Sequence, residues 1–168
     1  RHDGRQYYFR RGITFSHTGY YAPTFRVSSG GVFDTAGSTL FSRGWDLHLL
    51  LALLNSKTAR YLFKNFINHS VNTSEGPLKE IPLPDRGRIG GTEVDLIELV
   101  RRIMLRQEED RYYPYLQREQ VEIDRIVYDL TISAQMNGRR WSGGTFAATR
   151  VCSRDKTVSA RYRRGRSR

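Results

Sequence analysis

The longest apolar run in the chain, LHLLLALL at residues 47–54, is flanked by polar residues on both sides. Crossing a bilayer takes about 20 consecutive apolar residues, so this run predicts a helix packed inside a protein. Asp46 precedes it as a candidate N-cap, and Ser56 after it can cap a second helix that extends to about Phe66. The sequence therefore predicts two consecutive helices with a bend at Asn55 and Ser56. The predicted apolar stripe of this pair consists of Leu47, Leu50, Leu51, Leu54, Ala59, Tyr61, Leu62 and Phe66.

The first 44 residues have the composition of short β-strands instead. The segment RQYYFRRGITFSHTGYY, residues 5–21, is rich in aromatic and β-branched residues and is interrupted by Gly12 and Gly19. Residues 24–27 and 32–41 flank SSGG, which is typical of a hairpin turn, so we expect these two segments to pair. The aromatic residues expected in the core are Tyr7, Tyr8, Phe9, Phe33 and Phe41, with Trp45 packing at the entry to the first helix.

The stretch SVNTSEGPLKEIPLPD, residues 70–85, has a polar start and then apolar residues alternating with prolines. It predicts short extended pieces, with Pro82 and Pro84 confining the second piece to the edge of a sheet. The following residues, DRGRIGG, are expected to form a linker.

Two amphipathic helices are predicted next, which makes the fold class α+β. Residues 92–95 resemble a capping box that opens a helix ending near Glu109, and Pro114 separates it from a second helix. The predicted apolar positions are Val94, Ile97, Val100, Ile103 and Met104 in the first helix, and Leu116, Ile123, Val127 and Leu130 in the second, with Val121 and Ile126 beside them. We expect a β part with helices at 1–88, a helical support at 89–132, and a basic, disordered or aberrant tail at 133–168.

Charge is distributed unevenly along the chain, whose formal net charge is +11. Residues 138–168 hold ten basic residues and one acidic residue, residues 1–88 hold 12 and 6, and residues 89–137 hold 6 and 10. A basic balance of this kind favours a polyanionic partner. The tail has no helical or alternating pattern, and no function is predicted for it.

Catalytic motifs are missing from the sequence. It contains no G-x-G-x-x-G, no P-loop and no G-x-S-x-G. Cys152 is the only cysteine and the four histidines are scattered, so no metal site is predicted. Asp34, Glu75 and Lys79 can be arranged as a metal-dependent nuclease centre, but their spacing is not diagnostic.

Four motifs together resemble the C-terminal target-recognition region of large bacterial adenine-specific DNA methyltransferases, of the type IIG restriction–modification and BREX phage-defence kinds. In that family R-x-G-I/L-T-W/F-S precedes G-x-I/V-F-D, followed by L-L-x-L-L-N-S-K and then N-x-x-x-G-x-I/L-K-x-I/L-P-I/L-P. Here these motifs correspond to Arg10 to Ser16, Gly31 to Asp34, Leu50 to Lys57, and Asn72 to Pro84. The helix EIDRIVYDL is similar to the terminal helix of the family, so the resemblance covers roughly residues 5 to 130.

The resemblance implies a fragment that selects a site on double-stranded DNA. The family transfers a methyl group from S-adenosylmethionine to adenine N6 through an N-P-P-Y/F/W motif, which this sequence lacks. We therefore expect no cofactor in this chain, a catalytic domain before Arg1, and a cytoplasmic location without a membrane. The alternatives are a stand-alone specificity subunit serving a separate methyltransferase, and the small nuclease.

Candidate base-reading residues are concentrated between positions 10 and 21, because hydroxyl, amide and guanidinium groups are the ones that reach base edges. They are Arg10, Arg11, Thr14, Ser16, His17, Thr18 and Tyr20. On a strand, Thr14, Ser16 and Thr18 would share one face and Ile13 and Phe15 the other. A polar β edge facing water remains the alternative.

Candidate phosphate contacts need only a positive charge. They are Arg26, Lys57, Arg60, Lys64 and Lys79. The spacing of Lys57, Arg60 and Lys64 predicts a single basic helix face, with an ordinary solvated face as the alternative. Asn72 is the best single asparagine for a base or backbone contact, although asparagine also suits turns.

Overall fold

The structure is a computed structural model that describes residues 5–32, 38–42, 44–136 and 150–151. Three short strands pair antiparallel: β1 (Ile13–Phe15) lies between β2 (Phe25–Val27) and β3 (Thr39–Phe41). A two-residue strand, β4 (Arg150–Val151), pairs with β3. The alternating side chains of β1 place Ile13 in the core, with Phe15, Phe25 and Leu40 buried beside it.

The predicted hairpin across SSGG is wrong, because β2 and β3 flank β1 and do not pair with each other. The hairpin joins β1 to β2. The SSGG segment runs beside the N-terminal residues: Ser28 N–H donates to Gly12 O at 2.8 Å, and Phe9 N–H donates to Gly31 O at 3.0 Å. The turn-forming residues of SSGG therefore let the chain pass from β2, on one side of β1, toward β3 on the other side.

Two consecutive helices follow the sheet, as predicted. Asp46 caps α1 (Leu47–Asn55), and its carboxylate accepts two backbone N–H groups of the first turn. Ser56 ends α1 and caps α2 (Lys57–Leu62), which continues as a π-helical turn over Phe63–Ile67. Every residue from Leu49 to Leu54 is buried, and α1 contacts both β2 and the long helix α5 (Thr92–Glu109). The apolar run is therefore the centre of the core.

Beyond Ser56 the predicted apolar stripe is confirmed at Ala59 and wrong at Tyr61 and Phe66. Tyr61 and Phe66 are 61% and 68% exposed, whereas Ala59 and Phe63 are buried. Ala59 and Phe63 are four residues apart and therefore lie on one side of the helix. Once that side packs against the core, the rings of Tyr61 and Phe66 are left at the surface.

The proline-rich stretch forms no edge strand, which corrects the prediction. Residues 75–79 form a short helix, α3 (Glu75–Lys79), in which Leu78 is buried. Pro82, Leu83 and Pro84 then line a crevice with residues of α1, α2 and α6 (Glu119–Met136). The prolines thus belong to an extended segment that packs over the helices, where apolar contacts replace hydrogen bonds to a sheet.

The expected linker after this stretch is also wrong. It contains a helical turn, α4 (Arg86–Ile89), capped by the carboxylate of Asp85, and Ile89 is only 1% exposed. The glycines and charged residues of this segment are typical of a solvated linker, but the buried Ile89 packs the segment into the core.

The last two helices are confirmed, with changes in detail. Helix α5 begins at Thr92 as predicted, but Gly91 is its N-cap, and the Thr92 hydroxyl donates to Ile89 O at 2.7 Å. The capping box is therefore wrong. A 3-10 turn (Tyr115–Gln117) leads into α6, which packs against α5.

The predicted apolar faces of both helices are confirmed in part: Val100 and Ile103 in α5, and Ile123 and Val127 in α6, are buried as predicted. In α5 the buried positions are Leu96, Leu99, Val100 and Ile103, and in α6 they are Ile123 and Val127. Val94, Leu116 and Val121 are 60%, 60% and 52% exposed. Apolar residues occupy more than one side of α5, so contact with α1 and α6 selects the buried side.

The aromatic predictions have mixed outcomes. Phe41 is buried and stacks on Tyr7 with ring centroids 5.0 Å apart. Phe9 is 75% exposed with a φ of 63°, so its placement in the core is wrong. Trp45 packs against the core beneath the guanidinium of Arg86. Phe33, like residues 137–149 and 152–168, lies outside the described part.

The architecture is α+β, as the sequence predicted. One core cluster includes residues of the sheet, of α1 and α2, and of α5 and α6. Among the helices that the structure describes, none is long and apolar enough to cross a membrane.

Candidate nucleic-acid interface

Two segments distant in the sequence meet at the surface, and we call this contact the loop junction: residues 17–19 beside residues 71–73. Gly19 N–H donates to Val71 O at 3.0 Å, and Thr73 N–H donates to His17 O at 2.7 Å. The loop that follows β1 is therefore fixed against the loop that follows α2.

The loop junction brings two candidate base-reading residues into contact. The Thr18 hydroxyl donates to Asn72 Oδ1 at 3.2 Å, and both side chains are exposed. Asn72 Nδ2 has no partner within the residues that the structure describes. The pair therefore presents amide N–H donors to solvent, where they suit acceptors at base edges or phosphates.

Asn68 fixes the shape of the second loop. Its side chain donates to Asn72 O at 3.0 Å and accepts from Ser70 N–H at 2.9 Å, and the residue is 7% exposed. Lys64 extends over the same loop and donates from Nζ to Ser70 O at 3.1 Å. This hydrogen bond holds the lysine ammonium against the second loop.

The β1–β2 loop is closed by Ser16 and Thr24. Ser16 N–H donates to Thr24 O at 3.2 Å, and Thr24 N–H donates to the Ser16 hydroxyl at 3.0 Å. The Ser16 hydroxyl therefore supports the loop as well as facing the surface. Thr14 lies opposite Arg26 in the ladder and donates weakly to its carbonyl at 3.4 Å.

The structure distributes the other candidates over the surface. Arg10, Arg11, Tyr20, Arg26 and Lys57 are exposed, and Arg10 lies over the Tyr7 ring at 5.8 Å. The half-buried candidates are Thr14, Ser16, His17, Arg60, Lys64 and Lys79. No charged partner is recorded for Arg11, Arg26, Arg60 or Lys79 among the described residues.

A second group of polar residues, Asn55, Ser56 and Lys57, forms what we call the helix junction. Asn55 Nδ2 donates to Phe25 O at 2.9 Å, and its Oδ1 accepts Phe25 N–H at 3.0 Å. The asparagine thus pairs with the outer edge of β2 as another strand would. The Ser56 hydroxyl is buried between Leu53 O and Ala59 N–H.

Lys57 completes the helix junction through Asp124 of α6. Its backbone N–H donates to Asp124 Oδ1 at 2.9 Å, and its ammonium lies 3.5 Å from Oδ2. Lys64 lies in the π-helical turn that follows α2, whereas Lys57 and Arg60 lie in α2 itself, so the single basic face of the three stays a prediction. Roles of these three residues in DNA binding stay predictions.

One signal that sequence reasoning missed is the absence of acidic residues from two long stretches. Residues 4–33 and 47–74 contain no Asp or Glu, but they contain four and three basic residues, respectively. The loop junction joins these stretches. The two stretches themselves bring basic side chains and no carboxylate to the surface, although Asp124 of α6 lies beside Lys57.

The acidic residues of the described part do not gather into a metal centre. No group of three or more His, Cys, Asp or Glu side chains is arranged to hold a metal ion there. Glu75 lies in the first turn of α3, and Asp34 falls outside the described residues. The nuclease alternative thus stays a prediction.

No protein-family model, curated protein or solved structure matches this chain. Its function must therefore be inferred from its own residues.

Proposed function

We propose that this chain is the DNA-recognition part of a site-specific adenine-N6 DNA methyltransferase from a restriction–modification or phage-defence system. The observation that supports this most is the loop junction, which unites two stretches that lack acidic residues and carry the motif residues expected to contact DNA. Methyl transfer and S-adenosylmethionine belong to a domain or subunit that this chain does not contain. Its place of action is the cytoplasm, where bacterial DNA is found.

Recognition divides between charge and hydrogen bonding. Lys64, Arg26 and Arg11 contact phosphates, which positions the chain on the duplex without reading its sequence. Thr18 and Asn72 contact base edges in a groove. Because Asn72 Oδ1 already accepts the Thr18 hydroxyl, its Nδ2 favours acceptors such as guanine O6 and N7 or thymine O4.

The first experiment measures duplex binding against salt concentration by fluorescence anisotropy. Lys64→Glu is expected to weaken binding to all duplexes alike and to reduce the salt slope by about one phosphate contact. Arg102→Glu is the matched control, because Arg102 is an exposed basic residue on α5, in the acid-rich part of the chain. A wild-type chain that binds no duplex at low salt would overturn the proposal.

The second experiment selects preferred sites from a pool of randomised duplexes. Asn72→Ala and His17→Ala are expected to change the selected sequence, and each is expected to lower discrimination at a contacted base by about 1 kcal/mol or more. Asn65→Ala serves as control, since Asn65 donates within its own helix to Tyr61 O. Unchanged selection in both variants would remove the loop junction from base reading.

The source gene separates the two forms of the proposal. An N-P-P-Y/F/W motif encoded upstream in the same reading frame would assign the chain to a single-protein methyltransferase. A separate methyltransferase gene beside it would assign the chain to a specificity subunit.

A further inference from the structure

Several exposed aromatic rings belong to the two stretches that contain no acidic residue. Tyr20 and Tyr21 are 83% and 85% exposed in the β1–β2 loop. Tyr61 and Phe66 are 61% and 68% exposed at the other stretch, in an edge-to-face pair with centroids 6.0 Å apart. Exposure of large aromatic rings to water is unfavourable, so the two adjacent tyrosines of the β1–β2 loop indicate a ligand with flat apolar faces.

Tyr20 and Tyr21 project from a loop whose frame is fixed. Ser16 and Thr24 close its base through hydrogen bonds of 3.0 and 3.2 Å, and Gly19 N–H bonds to Val71 O next to the tyrosines. Neither ring has a recorded partner in the part of the chain that the structure describes. A ring held on a fixed backbone loses little conformational entropy when it stacks on a ligand.

The charge around the loop selects the kind of ligand. Residues 16–24 carry no Asp or Glu, and Lys64 is bonded to Ser70 in the neighbouring loop. Aromatic rings beside cations, without carboxylates, are the combination that binds unpaired nucleotides, since bases stack on the rings while cations meet phosphates. In an intact duplex each base is already stacked between its two neighbours. These rings can therefore stack only on a base that has lost a neighbour.

Resting on the proposed function, we infer that Tyr20 and Tyr21 stack on a base left without its stacking neighbour, so that the chain prefers DNA with an interrupted stack over perfect duplex. Adenine N6 cannot be reached inside a duplex, and an enzyme acting there must turn the base out. Extrusion leaves the adjacent bases uncovered, and a tyrosine can cover one of them.

The test compares two probes by fluorescence anisotropy: a perfect duplex, and the same duplex with one abasic site beside a 2-aminopurine. Wild-type protein is expected to bind the abasic duplex about tenfold more tightly, because stacking of one base on an aromatic ring contributes at that scale. Stacking also quenches 2-aminopurine fluorescence. The double variant Tyr20→Ala/Tyr21→Ala is expected to lose the quenching and to bind the two probes with equal affinity.

Two further variants keep the assignment falsifiable. Tyr20→Phe/Tyr21→Phe retains the rings and is expected to retain the preference, and Tyr112→Ala is the control, because Tyr112 is 88% exposed in the acid-rich segment. Equal affinity of wild-type protein for both probes overturns the inference and leaves the proposed function intact. The inference is also overturned if Tyr20→Ala/Tyr21→Ala keeps the preference for the abasic duplex while Tyr61→Ala/Phe66→Ala loses it. If the wild-type protein binds neither probe, the proposed function itself is overturned.

Discussion

The helix junction and the loop junction both contain polar residues, yet the fold uses those residues differently. At the helix junction, Asn55 places both polar atoms of its amide on the backbone of Phe25, and Ser56 is buried. At the loop junction, Thr18 and Asn72 are exposed, and the amide nitrogen of Asn72 is left over. Donors and acceptors that are already paired within the fold cannot bind a ligand, so the first group stabilises the domain and the second is left available to a ligand.

The largest effect on stability is expected when the helix junction is broken. Asn55→Leu should lower the free energy of unfolding by about 3 kcal/mol, because the part-buried N–H and C=O of Phe25 lose their partner. Urea denaturation measures this. Asn65→Ala, which changes an exposed asparagine of the same helical region, should change stability by less than about 0.5 kcal/mol. Equal effects of the two variants would contradict the structural role of Asn55.

A comparison of two glycines sharpens the same distinction. A Cβ at Gly12 would lie 2.6 Å from Thr39 Cγ2 and 2.7 Å from Leu40 O, whereas a Cβ at Gly19 meets nothing within 4 Å. Gly12→Ala should therefore destabilise the protein by about 2 kcal/mol through overpacking against β3. Gly19→Ala, at the loop junction, should leave the thermal midpoint nearly unchanged, and a comparable loss there would show that the loop is packed more tightly than its exposure indicates.

Asp46 is another polar side chain that the fold uses, and it makes stability depend on pH. Burial alone would raise the pKa of Asp46, but backbone N–H groups of Leu49 and His48 and the nearby His48 ring outweigh burial and hold this pKa below its usual 3.8. The stabilisation is therefore present above pH 3.8 and is lost as the pH falls through the lower pKa of the folded state. Asp46→Ala should cost about 1 kcal/mol at neutral pH.

Denaturation across the acidic range checks this expectation. The stability difference between wild-type protein and Asp46→Asn, which keeps an N-cap without the charge, should shrink as the pH falls below 3.8. A difference that stayed constant with pH would show that the carboxylate charge contributes nothing.

The smallest expected effect compares the two lysines. Lys57 lies 3.5 Å from Asp124 Oδ2, so its charge is already partly offset, while Lys64 bonds to a backbone carbonyl. Lys57→Glu should weaken duplex binding less than Lys64→Glu and should lower stability by up to about 1 kcal/mol, because the pair between the exposed lysine and the largely buried Asp124 carboxylate becomes a repulsion. If Lys57→Glu and Lys64→Glu lose the same DNA affinity, the helix junction is also part of the interface.

Sequence reasoning succeeded where the deciding interactions are local. Asp46 and Ser56 cap helices through N–H groups within three residues, and Pro114 separates two helices because its ring cannot continue one. It failed at the proline-rich stretch, where Pro82 and Pro84 were read as an edge strand. Proline excludes a central strand but does not specify what the remaining extended chain will pack against.

The candidate site was predicted only in part. Thr18 and Asn72 were both singled out from the sequence, but their contact was not, since 54 residues separate them. Nor were the exposures of Tyr61 and Phe66 predicted, because helical periodicity defines which residues share a side and leaves open which side is buried.

By itself, the sequence determined the α+β class, the central apolar helix, the caps of α1 and α2, and the presence of α5 and α6. Each depends on composition or on hydrogen bonds between close neighbours along the chain. The tertiary structure decided the order of the strands, the exposure of Tyr61 and Phe66, and which polar groups remain free. These depend on partners such as Phe25 for Asn55 and Asp124 for Lys57, 30 and 67 residues apart, and such pairs have no signature in a local pattern because packing of the whole core brings them together.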